Sequence, residues 1–388
     1  MSHGEAAALY AHLASPAGRD DPYPVYAKLR QLGPLVGVEP GFLIATSFET
    51  VDEVLRDSAF GVGGGSGRLL DASMLNNNAP DHTRMRRLFA GAFTPRRVNG
   101  LADAITAQAR ELLREMSAAP GRQADLMADF AYRLPVGVIC ELLGVPIADR
   151  GWFRPVAADV ALELEGEMTP EEEASRQSAA ELLTAYFLSL VRDRRRSPGD
   201  DLISELAASD ALAEDELIGN LALLLIAGFE TTTNLIGNGV MTLLDHPAHL
   251  ARLVADPALA ERYVEEFLRF DPPVQLTSRV ALEPTVVHGH DVDPGWFVMA
   301  LIGSANRDET RFADADAFRP DRTGNTPISF GAGAHFCLGA VLARLEARIA
   351  FPLLLGCLPG LALAGEPVRR SRMVLRGYET MPVTWDRS

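Results

Sequence analysis

Lysine is almost missing from this chain: Lys28 stands alone, and arginine supplies the remaining basic charge. The 36 basic residues face 52 acidic ones, a net charge of −16, which argues against a nucleic-acid partner. Cysteine is scarce, with only Cys140, Cys337 and Cys357. So small and odd a number argues against a disulfide framework and for a reducing compartment, so a cytoplasmic location is expected. No apolar run approaches the roughly 20 residues of a membrane span; the longest, Leu221 to Phe229, stops at Glu230. The first residues, MSHGEAAALYAHLASP, lack a basic segment followed by an apolar core, so neither a signal peptide nor a membrane association is expected. There is no internal repeat and no Gly/Ser-rich or Pro-rich linker. A single domain over 1–388 and a monomer are therefore expected, with Gly61 to Gly67 (GVGGGSG) as a short mobile loop.

What remains is ordinary globular material, 47% hydrophobic and 23% charged over 388 residues. Apolar residues recur at three- and four-residue spacing in Ala102 to Met116 and in Pro170 to Arg196, the period of a half-buried helix. Ala213 to Leu244 reads as a long helix. Ala260 to Phe270 reads as another, ended by Asp271-Pro272-Pro273. Short β segments are expected at Val36 to Val38 and Gly41 to Thr46, around Glu39-Pro40. More fall within residues 274–302, and a final pair flanks Arg376-Gly377. The chain is mainly α with small β-sheets.

The most informative stretch is Phe330-Gly331-Ala332-Gly333-Ala334-His335-Phe336-Cys337-Leu338-Gly339, followed by a helix-forming run from Ala340 to Phe351. It places Cys337 at the mouth of a helix, where unpaired N–H groups and partial positive charge favour a thiolate. Gly331, Gly333 and Gly339 let the backbone bend sharply and let another group approach. A thiolate beside open space suits haem iron, where it pushes electron density onto the metal. The bland alternative is a buried cysteine beside a tight turn. Cys140, in the apolar stretch LPVGVICELLGVP, reads as packing, and Cys357 has no ligand-like neighbours.

Within the long helix, Ala227-Gly228-Phe229-Glu230-Thr231-Thr232 combines a glycine, an acid and β-branched residues. Glycine costs about 1 kcal/mol against alanine in a helix interior, so a helix that accepts it has a use for the gap. Either a small ligand sits against the backbone there, or another helix crosses at Gly228. Threonine hydroxyls can bond back to carbonyls and open the helix locally. Glu266 and Arg269 lie three residues apart on one helix face; on spacing alone they are a surface pair contributing about 0.2–0.5 kcal/mol.

The cysteine segment resembles the haem-binding loop of the cytochrome P-450 monooxygenases, and the other motifs follow in that family's order from about Asp21 to Trp385. The resemblance implies an α-rich triangular prism around a buried haem b, with Cys337 as the iron ligand and Phe330, Gly331, His335 and Gly339 shaping the loop. Residues 227–232 resemble the oxygen-binding motif. That implies Ala227 and Gly228 beside the oxygen site, Thr231 stabilising activated dioxygen and Glu230 taking part in proton delivery. His82 and Arg86, one turn apart, together with Arg279 and His335, match the residues that hold the haem propionates. Glu266, Arg269 and Arg322 match the structural ion pair that braces the cysteine loop. Ala305-Asn306-Arg307-Asp308 resembles a further family motif, with Glu309 where proline is usual.

By the same resemblance the substrate is a hydrophobic small molecule, free or carrier-bound, in antibiotic or other natural-product biosynthesis. O2 is the co-substrate, and electrons come from NAD(P)H through a ferredoxin and its reductase, as in soluble bacterial members. Substrate contacts are expected from residues 61–78, 153–190, 223–227, 274–277 and 378–380. Residues 84–97 hold five arginines (Arg84, Arg86, Arg87, Arg96, Arg97) and no acid; with Arg344 and Arg348 they form either a docking patch for an acidic ferredoxin or a solvated face. Oxidative coupling or desaturation by the same enzyme, a peroxide-driven enzyme and a non-catalytic haem protein are the competing readings. The retained Glu230-Thr231 pair and Cys337 weigh against the last two.

Overall fold

The structure is a computed structural model describing residues 3–63, 68–165 and 168–387. Most of the Gly61 to Gly67 loop lies outside the described residues. By internal contacts the chain forms two compact units.

The first unit comprises Met1–Gly63, Asn234–Ala340 and Gly365–Met381. Its centre is a five-stranded sheet, in spatial order Leu35–Glu39, Phe42–Ala45, Phe297–Ala300, Thr277–Ala281 and Phe60–Gly61. The first two strands form the expected hairpin, with Val36 opposite Ile44. Phe42–Ala45 then runs parallel to Phe297–Ala300, which pairs antiparallel with Thr277–Ala281, Arg279 opposite Val298. Alternation along a strand sends neighbours to opposite faces. Leu43, Ala45, Val298 and Ala300 join one apolar cluster with Val51 and Val54. Ile44, Met299 and Leu301 join another with Tyr26 and Leu29.

The second unit comprises Gly64–Thr233, Val341–Ala364 and Pro382–Ser388 and is mostly helical. Its Pro170–Arg196 helix matches the expected bounds. Thr169 and Glu172 form a reciprocal capping box, Pro170 opens the helix, and Glu171 to Glu173 face Arg194 to Arg196 across its length. Each charge set complements the dipole end beside it. The long helix runs Glu214–Asp245.

One boundary differs from expectation. The helix after the cysteine loop continues past Phe351, through Pro352, to Cys357. Proline inside a helix costs about 3 kcal/mol. Phe351, Leu354, Leu355 and Leu358 are all buried, at roughly 1.5–3 kcal/mol each, which outweighs that cost. The expected final pair about Arg376-Gly377 is present, Val368–Arg369 running antiparallel to Tyr378–Thr380, and Pro382–Thr384 pairs separately with Gln123–Asp125 and Ala362–Leu363. Among the described residues no helix is long and apolar enough to cross a membrane.

Candidate active site

The cysteine loop belongs to the first unit. The Cys337 N–H donates to the Phe330 carbonyl at 2.9 Å, closing the loop on itself. Inside it, Gly333–His335 forms one tight turn, and the Phe336 N–H donates to the Gly333 carbonyl at 3.1 Å. Gly331 and Gly333 have φ of 70° and 67°, which a side chain would strain. At Gly333 a Cβ would also fall 2.2 Å from the Leu55 carbonyl oxygen. Cys337 is exposed, three residues before the helix that starts at Ala340. A Cβ at Gly339 would lie 4.0 Å from Sγ, ordinary contact, so that glycine is not required to clear the sulfur.

The loop hangs from a buried polar frame. Arg269 donates through Nε and Nη2 to both Glu266 oxygens at 2.8 Å, and both side chains are fully buried. Arg322 Nε and the Arg319 N–H also donate to Glu266, at 3.2 and 2.6 Å. Arg269 Nη1 reaches the Asn306 carbonyl at 2.9 Å. Asn306 in turn accepts the Ile328 N–H at 2.9 Å and donates to Ser329 Oγ at 2.8 Å. Ile328 and Ser329 directly precede Phe330, and the Ile328 carbonyl accepts the Gly331 N–H at 2.8 Å. The sequence spacing of Glu266 and Arg269 could not distinguish this frame from a surface pair; burial does.

Arg279 is 7% exposed. It donates to the Ser278 carbonyl at 2.7 Å and to Thr277 Oγ1 at 3.3 Å, both neutral. Burial pushes its guanidinium down to about 10. Among the described residues no carboxylate pairs with it. A buried cation without its anion is costly, so Arg279 fits the carboxylate of a bound group such as a haem propionate.

In the second unit, Thr231 Oγ1 donates to the Ala227 carbonyl at 2.9 Å and Thr232 Oγ1 to the Gly228 carbonyl at 3.4 Å. The threonines therefore bond back to the helix as expected. Gly228 has a packing reason as well: its Cβ would lie 2.6 Å from Ile139 Cγ1, on the Arg133–Leu143 helix. That contact is the helix crossing that the sequence offered as one reading of Gly228. Glu230 is 1% exposed. His82 is buried and Arg86 half-buried, one turn apart on the Asp81–Ala90 helix. In the basic segment, Arg84 is held by Glu216 at 2.5 Å and Asp81 at 3.0 Å, whereas Arg87 and Arg96 are exposed.

The family model for cytochrome P450 matches residues 166–356. The sequence is 38% identical to cytochrome P450 monooxygenase PikC of Streptomyces venezuelae, over 95% of this chain and 92% of that protein. The chain belongs to the cytochrome P450 family. It is also 39% identical to the mycinamicin IV hydroxylase/epoxidase of Micromonospora griseorubida, over 93% of this chain and 94% of that protein. Among solved structures, P450BioI in complex with an acyl carrier protein ligated to hexadec-9Z-enoic acid matches with a TM-score of 0.90. That match is at 36% identity and covers 95% of this chain and 99% of the other. This P450 is thus a monooxygenase by family, with haem as its cofactor, O2 as its oxidant and electrons supplied by redox partners.

Three polar features of this P450 escaped sequence reasoning. Asp271 accepts from Tyr23 at 2.6 Å and from Arg376 Nε at 2.7 Å. Glu163 pairs with Arg176 at 2.7 Å with both side chains buried. Glu346 is 1% exposed, the one acid of the Ala340–Cys357 helix, between Arg344 and Arg348. Only Glu346 carried a signal, an acid in the run Ala340 to Leu358; the other two unite residues far apart in sequence.

Proposed function

We propose that this P450 hydroxylates or epoxidises a hydrophobic natural product, with Cys337 as the thiolate ligand of haem b. The observation that carries the reading is the closed, glycine-shaped cysteine loop hung on a buried ion-pair frame, in a unit that also buries Arg279 with no carboxylate partner among the described residues. Haem, when bound, supplies activation of O2 and delivery of one oxygen atom, with the balance RH + O2 + 2e⁻ + 2H⁺ → ROH + H2O. The chain's residues hold and orient. Arg279, His82, Arg86 and His335 hold the propionates. Thr231 and Glu230 pass protons along the long helix. The Glu266–Arg269–Asn306 frame fixes the backbone on which Cys337 stands.

A ferredoxin, reduced by NAD(P)H through its reductase, is the proposed electron donor, with exposed Arg87 and Arg96 as its docking contacts. The mycinamicin IV hydroxylase/epoxidase supports a mycinamicin-like substrate. The P450BioI complex supports testing a carrier-bound form as well. The experiment is an optical titration of the haem protein against macrolides and against acyl groups on carrier protein, with the reduced CO spectrum as ligation control. A shift to high spin with one scaffold identifies the substrate class. A thiolate CO signature with no shift from either panel rejects both substrate classes, and a missing thiolate signature rejects Cys337 as ligand.

A further inference from the structure

Phe318 is buried and sits in a box of aromatic rings. Phe267 stacks on it at 5.5 Å. Phe270 and Tyr263, from the same Ala260–Phe270 helix, meet it edge-on at 5.5 and 6.0 Å. The remaining walls are imidazoles. His246 lies just past the long helix and His249 in the Pro247–Ala255 helix, each with its ring centre 5.2 Å from that of Phe318. All of these residues belong to the first unit.

The backbone on either side of Phe318 belongs to the frame that holds the cysteine loop. The Ala317 carbonyl accepts from Arg269 Nη2 and Arg322 Nη2, both at 2.9 Å. The Arg319 N–H donates to Glu266 at 2.6 Å. From Arg269 the chain of bonds runs through Asn306 to Ile328 and Ser329, where the cysteine loop begins. The seat of Phe318 therefore sets the bonds that its two neighbours make to the Glu266–Arg269 pair. Ring packing is short-range, and a gap of about 1 Å forfeits up to half of a contact. Displacing one wall of the box loosens the seat.

Among these walls the imidazoles alone can gain a proton. His246 Nδ1 donates to the Thr242 carbonyl at 2.7 Å, which fixes its ring. His249 is held less firmly: Nδ1 lies 3.4 Å from Tyr263 Oη, and that hydroxyl donates to the His249 carbonyl at 3.1 Å. The titratable and charged groups around His249 are His246 past the long helix, Arg252 on its own helix, Tyr263 and Glu266 on the Ala260–Phe270 helix, and Asp321 on the irregular segment. Asp321 is itself engaged by Arg252 at 2.5 Å and Arg262 at 3.7 Å. Burial first, then His246 and Arg252, push the His249 imidazole below its usual 6.5, against the pull of Asp321 and Glu266. A proton there sets a cation among apolar rings and beside another cation.

We propose that His246 and His249 clamp Phe318 as a positioning residue for the thiolate ligand, and that a proton on His249 opens the clamp. This rests on the reading of Cys337 as the iron ligand. The clamp is closed above the ordinary histidine value and is lost as pH falls through the lowered folded one. Acid thus weakens ligation by sulfur through a ring that touches neither the cysteine nor its loop.

The test is the reduced CO spectrum of the haem protein from pH 8 down to pH 4.5. It compares wild type with His249→Phe, which keeps a ring but takes no proton, and with His288→Gln, a control at an exposed histidine. Wild type should lose the thiolate signature reversibly, with a midpoint below 6.5. His249→Phe should match wild type at pH 8 and move the midpoint down by about one unit or more, a tenfold rise in proton concentration. A role in packing alone would not move that midpoint. Protection of the Arg319 amide from hydrogen exchange should fall over the same pH range in wild type and stay constant in His249→Phe. In His249→Gln, which lacks the wall, it should be low throughout. An unchanged midpoint in His249→Phe, or an equal shift in His288→Gln, overturns the proposal. If wild type shows no thiolate signature at pH 8, the ligand reading fails instead. Arg319 protection in wild type and both His249 variants then decides the clamp: a pH step in wild type alone supports it, and the same step in all three overturns it.

Discussion

Glu266 and Arg269 meet through two parallel 2.8 Å hydrogen bonds with both side chains fully buried. They are one turn apart on the Ala260–Phe270 helix, yet their remaining bonds go to Asn306, Ala315, Ala317, Arg319, Arg322 and Asn325. The pair is the hub of an irregular segment that has no sheet or long helix to organise it. Removing one partner of a buried pair leaves the other charged and unanswered, at about 3–5 kcal/mol. Glu266→Ala should lower stability by that amount in chemical denaturation and loosen the cysteine loop. A loss below about 1 kcal/mol would reduce the pair to the exposed kind.

Arg279 separates folding from cofactor retention. With no carboxylate partner among the described residues and its guanidinium pushed down to about 10 by burial, the charge is a liability to the apoprotein. Arg279→Met keeps the length and removes the charge. The apoprotein should be as stable as wild type or more so, while haem content per chain after purification falls. A less stable apoprotein with full haem content contradicts the propionate assignment.

The parts of the fold that were legible in the sequence are those governed by local pattern. Pro170–Arg196 announces itself through apolar residues at three- and four-residue spacing. Ala260–Phe270 ends where two prolines follow. The glycines of the cysteine loop mark backbone turns at Gly331 and Gly333 that only such residues tolerate. What was not legible depends on partners distant in the chain. Nothing near Gly228 reveals that Ile139 fills the space beside it, and nothing near Glu163 points to Leu69. The candidate site was read through resemblance more than through spacing, since His82, Arg86 and Arg279 are each unremarkable alone.

Glu346 predicts a pH dependence. Burial raises its carboxyl well above the usual glutamate value of 4.5, and its Oε2 has no hydrogen-bond partner among the described residues. In the folded state the group holds its proton at pH values where the unfolded chain has released it. Its stabilising contribution is therefore complete below the ordinary glutamate value and is lost as pH rises towards the raised folded value. Glu346→Gln cannot titrate. Its stability relative to wild type should grow from pH 4 towards pH 8 in urea denaturation, and a constant difference across that range would show that Glu346 ionises normally.

Asp271 gives the opposite slope. Burial alone would raise its carboxyl, but Arg376 and Arg369, with the Tyr23 hydroxyl, hold it below its usual 3.8. Its contribution is present above the ordinary aspartate value and lost as pH falls through the lowered folded one. Asp271→Asn should destabilise at neutral pH by about 3–5 kcal/mol, the cost of leaving Arg376 buried and unpaired, and the gap should close in acid. A gap that persists undiminished in acid would assign the loss to packing.

The long helix supplies the last prediction, on chemistry. Thr231 spends its hydroxyl proton on the Ala227 carbonyl, leaving its oxygen able to accept a hydrogen bond from a molecule in the adjoining space, while Glu230 is almost wholly buried. If the pair manages protons, losing either should damage the use of electrons more than their supply. In Thr231→Ala, NADPH consumption with surrogate ferredoxin and reductase should stay within about twofold of wild type, while product per NADPH falls and hydrogen peroxide rises to match. Glu230→Gln should instead slow turnover, by roughly 10²-fold where a general acid contributes at the lower end of its usual range. Thermal denaturation of both variants separates this from unfolding, because Thr231→Ala removes a back-bond that a helix does not need. Unchanged coupling in Thr231→Ala would show that the threonine only shapes the helix, and protons would then have to reach the site by a route that bypasses it.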